Sequence, residues 1–80
     1  MRLAEKRGLT YAERSELGKL PARIDTLERR QRDLHEAMMV PGFYKQDSAT
    51  ITKASAELAD VERTLAESLA RWEYLEARNE

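Results

Sequence analysis

Residues 17–38, LGKLPARIDTLERRQRDLHEAM, decide the fold. Leu17, Leu20, Ile24, Leu27, Gln31, Leu34 and Met38 follow one another at spacings of 3, 4, 3, 4, 3 and 4. That alternation keeps side chains on a single helix face and is the heptad seam of a coiled coil, here with one polar interruption at Gln31. The second half repeats it: Ile51, Ala54, Leu58, Val61, Leu65, Ser68, Trp72 and Leu75, interrupted at Ser68. Two long amphipathic helices are predicted. Between them Pro41 lacks an amide donor and Gly42 loosens the backbone, while Asp47 and Ser48 are residue types that cap a new helix. A connection of this length favours antiparallel neighbours, so the chain reads as an all-α, antiparallel two-helix hairpin closed as an intramolecular coiled coil. Facing residues whose numbers sum to 85 pair Leu34 with Ile51, Leu27 with Leu58, Ile24 with Val61 and Leu20 with Leu65. A slip of one heptad, to 92, also matches apolar positions, and the pattern leaves both registers open.

A short N-terminal helical cap precedes the hairpin in this reading. Thr10 followed by Glu13 has the form of a capping box and starts a helix at Tyr11. Pro21 suits a first helical turn, which predicts a bend near Gly18–Leu20 and a fresh start. The expected layout is a linker over 1–8 and a coiled-coil domain over 9–80. Within that domain fall a short helix at about 10–19, a helix at about 21–39, a turn at about 40–47 and a helix at about 48–78. In the register summing to 85, Trp72 and Leu75 overhang and would cover the cap through Tyr11 and Leu17.

Composition sets the outer bounds. Eighty residues allow one module. Fourteen Lys plus Arg against fifteen Asp plus Glu give a formal charge of −1, so bulk charge selects no partner. Cysteine is absent, which excludes a disulfide framework and thiolate chemistry. The longest stretch without a charged residue, Ala37 to Tyr44, is too short to span a bilayer, which needs about 20 apolar residues. A cytoplasmic location is expected. Gly8, Gly18 and Gly42 are isolated and form no phosphate-cradling loop, and paired carboxylates such as Glu57 with Asp60 read as a solvated face. His35, flanked by Asp33 and Glu36, would need convergent partners from the other helix for a catalytic or metal role, and reads as a seam-flanking surface residue. No catalytic residue, metal site or cofactor is expected.

Charge is unevenly placed. Residues 1–34 hold nine basic and six acidic side chains, net +3, and residues 35–80 five and nine, net −4. At 100° per residue Lys19, Arg23 and Arg30 lie within about 40° of one another, with Arg29 and Arg32 on a neighbouring face. Such a stripe can track phosphates. It can also serve the coiled coil, with Arg23 and Arg30 pairing across the hairpin, and Glu57 is a partner for Arg30. At the tip, Phe43 and Tyr44 beside Lys45 either plug the mouth of the coil or stack on a base. Trp72 sits at seam spacing and reads as core, with Arg71 and Glu73 on the surface.

The run Leu9-Thr10-Tyr11, Glu13, Glu16-Leu17, Leu20-Pro21, Ile24 and Leu27-Glu28 resembles the start of the C-terminal domain of ABC-F ATPases, especially the Uup type. Pro41, Phe43-Tyr44 and Asp47, then Arg71-Trp72-Glu73-Tyr74-Leu75-Glu76, resemble that domain's turn and closing motifs, in order, so the likeness covers residues 9–76. Gly18 and a linker poorer in lysine depart from the family pattern. The resemblance implies a noncatalytic appendage of a chain with two ATP-binding cassettes. It further implies nucleic-acid binding, which falls on Arg14, Lys19, Arg23, Arg29, Arg30, Arg32 and Lys45, with DNA or ribosomal RNA as the polyanion. The hairpin is expected to be monomeric, and the competing expectation is a spacer or protein-interaction module that docks on the ribosome or on the parent ATPase domains, or self-associates through exposed apolar seam residues.

Overall fold

The computed structural model describes residues 8–79. Two helices, α1 (Tyr11–Met39) and α2 (Ser48–Arg78), run antiparallel and form a rod of 63 × 16 × 15 Å. The 1–8 linker expected from the sequence lies outside the described residues except for Gly8.

The Thr10 box starts α1 as its residue types dictate. The Thr10 hydroxyl accepts the Glu13 N–H at 3.0 Å, and the Glu13 carboxylate accepts the Thr10 N–H at 3.0 Å. The expected break at Gly18–Leu20 does not occur, and there is no separate cap helix over 10–19. Pro21 lies inside one uninterrupted helix of 29 residues. The missing Pro21 amide leaves the Leu17 carbonyl without its helical donor, a penalty of up to about 3 kcal/mol in a helix interior. Burial outweighs it: Leu17 and Leu20, on either side of the would-be break, are both buried in one cluster with Leu9 and Leu75, against which Ile24 and Trp72 pack. The 3–4 spacing runs in phase through Pro21, so a bend would take Leu17 off the face that Leu75 covers. Tyr11, expected under Trp72 and Leu75, is instead 84% exposed, and Leu9 takes that place in the core.

Ion pairs along the seam resolve the register. On one flank Glu16 meets Arg71 and Arg30 meets Glu57, pairs whose numbers sum to 87; on the other His35 meets Glu62, summing to 97. Flanking pairs of an antiparallel coil bracket the seam symmetrically, so facing seam residues sum to 92, the slipped alternative. Leu17 then faces Leu75 and Leu20 faces Trp72, consistent with their shared cluster. Two opposite-charge pairs on the first flank favour this register, since the alternative would set Glu16 and Arg30 against Thr64 and Thr50. The seam's polar members fit it too. Gln31 donates to the Glu62 carboxylate at 3.1 Å, and Ser68 is small enough to be buried opposite Ile24.

At the tip Gly42 adopts φ +95°, a left-handed conformation that glycine takes without steric penalty. It leads into one 3-10 turn, Phe43–Lys45. Of the two tip aromatics, Phe43 is buried and closes the coil, whereas Tyr44, edge-on to it at 4.8 Å, is 67% exposed. Asp47 occupies the N-cap of α2, although its side chain makes no capping hydrogen bond.

Candidate nucleic-acid interface

The flank that carries Glu16 and Arg30 forms an open trough of about 840 Å³ between the helices. Lys19 and Arg23 line its α1 side, Thr64, Glu67 and Arg71 its α2 side, and Tyr11 its outer end. Lys19 and Arg23 are one turn apart, and Arg30 follows seven residues later on the same side, so three basic groups run over roughly 16 Å of helix. Neither Lys19 nor Arg23 has an ion-pair partner among the described residues. Arg30 donates to Glu57 across the seam, the partner expected for it, in a pair whose side chains are 50% and 39% exposed.

The other basic residues named from the sequence do not join this flank. Arg29 points along the outside of α1, where its Nε and Nη2 donate to Asp25 at 3.1 and 2.8 Å. That hydrogen-bonded carboxylate raises the guanidinium pKa further. Arg32, expected beside Arg29 on a neighbouring face, falls instead with Arg14 about 140–180° around the helix from Lys19, Arg23 and Arg30. Lys45 lies at the tip, about 24 Å beyond Arg23 along the rod.

Arg71, read from the sequence as a surface neighbour of Trp72, is a structural member of the trough. Its Nε and Nη2 grip both oxygens of Glu16 at 2.8 and 3.0 Å, and the guanidinium stands over the Tyr74 ring at 5.5 Å. The hydrogen bond from Arg71 holds the Glu16 carboxyl below its ordinary pKa. Two turns of helix further, Arg78 makes a second pair across the hairpin. It donates to Glu13 at 2.8 Å and faces Tyr74 at 5.3 Å from the other side, and Glu13 is lowered first by the Thr10 N–H and then by Arg78. The signal for the Glu16–Arg71 pair was present in the sequence as opposite charges at seam-flanking positions, readable once the register is known, whereas Glu13 and Arg78 sum to 91 and do not follow that flank's spacing.

His35 Nε2 sits 3.4 Å from the Glu62 carboxylate and is half exposed. Among the described residues no three His, Asp or Glu side chains converge on one point, and no helix is long and apolar enough to cross a membrane.

A capped, antiparallel hairpin with a closing Arg-Trp-Glu-Tyr-Leu-Glu segment against its base defines a class. Residues 8–77 match the family described as the ABC transporter C-terminal domain, and the chain belongs to it. It is 33% identical over 69 residues to the ATP-binding protein Uup of Escherichia coli (strain K12). That alignment takes in 86% of this chain and 11% of the Uup chain. No solved structure matches.

Proposed function

We propose that this domain is a noncatalytic nucleic-acid-binding appendage of a Uup-like ATP-binding protein, contacting the phosphate backbone of DNA through the flank of Lys19, Arg23 and Arg30. The observation that carries the reading is the alignment of these three cations along one side of a straight rod, two of them without an ion-pair partner among the described residues. Arg30 is available despite Glu57, because exposed pairs contribute only about 0–1 kcal/mol and a phosphate oxygen can replace the carboxylate. Arg14, Arg32 and Lys45 lie too far around or along the rod to touch the same strand segment and act at most as a diffuse field. A helix flank without a recognition element reads backbone and not bases, so sequence preference is weak and salt dependence strong.

Fluorescence anisotropy with labelled duplex DNA and an RNA hairpin tests this on the 80-residue chain. The double variant Lys19→Glu/Arg23→Glu loses about tenfold or more in affinity while its helical circular dichroism is unchanged. Unchanged affinity refutes the assignment to this flank, and tighter binding to the RNA hairpin than to DNA moves the ligand to RNA.

A further inference from the structure

The opposite flank has a different character. Pro21 and Ile24 of α1 and Leu69 and Trp72 of α2 form an apolar shelf, with Asp25 and Glu28 on its rim. The shelf is accessible: Pro21 and Leu69 are exposed, Leu69 by 37%, and Ile24 and Trp72 are only partly buried. Asp25 already engages Arg29, but Glu28 has no ion-pair partner among the described residues. Glu76 follows Trp72 by four positions, which carries negative charge one turn further along the same side of α2. The two flanks therefore differ in sign as well as in apolarity.

We infer that this shelf is a docking site for a cationic amphipathic helix of a protein partner. Pro21, Ile24, Leu69 and Trp72 come from both helices, so the depression between them accepts apolar side chains at i, i+3 and i+4 of a third helix. The acidic rim then meets Lys or Arg on that helix's polar edge. The basic flank of Lys19, Arg23 and Arg30 repels the same partner, so charge directs it to one side of the rod. The inference is independent of nucleic-acid binding, since no residue of the other flank lines the shelf.

Trp72 is the sole tryptophan of the chain and lies on the shelf, so its emission reports occupancy directly. The probe is a synthetic amphipathic helix of Leu, Ala and Lys, titrated against the chain. The control is a peptide of the same composition, scrambled so that its apolar residues share no face. The expected result is a saturable blue shift with the amphipathic peptide and at least about tenfold weaker binding of the scrambled one. Glu28→Lys and Leu69→Lys, both at exposed positions, each weaken binding about tenfold with helicity retained. No shift, equal binding of the scrambled peptide, or indifference to both substitutions overturns the proposal. So does a shift that grows with protein concentration alone, which makes a second copy the occupant. So too does binding that appears only after residues 1–7 are removed, which makes that segment the occupant.

Discussion

Truncating Leu75 is the sharpest perturbation of the hairpin's base. Its side chain is 0% exposed, the only large side chain of the described residues so completely enclosed, and it is clustered with Leu9, Leu17 and Leu20. Leu75→Ala removes three carbons, worth about 2.4 kcal/mol at about 0.8 kcal/mol per buried CH₂. Incomplete collapse of the cavity raises this to about 3 kcal/mol, inside the usual span of about 2–5 for such substitutions. A domain of this size is stable by about 4–12 kcal/mol, so one substitution removes a large share. The control is Met39→Ala, 78% exposed at the end of α1, expected within about 0.5 kcal/mol of wild type. Guanidinium denaturation followed by circular dichroism, with Trp72 emission as a second probe, measures both. A loss below about 1 kcal/mol for Leu75→Ala refutes the packing and the register together, because in the register summing to 85 this residue overhangs the start of α1 and has little to lose.

Three further outcomes follow from local geometry. Gly18→Ala stabilises by about 0.8–1 kcal/mol, since a Cβ there meets nothing within 4 Å in a helix interior, whereas Gly42→Ala at φ +95° destabilises by about 1–2 kcal/mol; thermal melts read both. Reversing one charge of the Glu16–Arg71 pair, by Glu16→Arg or Arg71→Glu, lowers the melting temperature, and the double swap recovers most of the loss; simple additivity contradicts the contact. Glu13 and Glu16 have depressed pKa values in the fold, so their contribution is complete above the ordinary carboxylate value of 4.5 and disappears as pH falls through the lowered ones. Melting temperature therefore declines below pH 4.5, and Glu13→Gln flattens the decline; a parallel pH profile in that variant excludes the carboxylate as the source.

Heptad spacing made the two helices, their antiparallel order and the seam legible, and residue type alone identified the Thr10–Glu13 box and the Arg30–Glu57 pair. The register was not legible from apolar residues, because a period of seven matches itself after a slip of seven. What distinguishes the two alignments is charge at the flanking positions, where Glu16 finds Arg71 in one and Thr64 in the other. Pro21 misled for a related reason: a local rule that disfavours it inside a helix competes with burial of Leu17 and Leu20 around it, and burial depends on Leu75, far away in sequence. The candidate interface was only half legible. An angular count grouped Lys19, Arg23 and Arg30, and the i,i+4 spacing of Asp25 and Arg29 is a local signal that Asp25 occupies Arg29, but nothing local shows that Arg71 forms the opposite wall of the trough.

The most direct test of the account is a residue-by-residue map of contact: amide chemical-shift changes in the isotope-labelled chain on titration with duplex DNA at low and moderate salt. The account predicts shifts concentrated at Lys19, Arg23 and Arg30, with affinity falling at a log–log salt slope of about −2.7 for three phosphates. Shifts confined to the tip around Tyr44, or to the shelf around Trp72, or no shifts at low salt, contradict it.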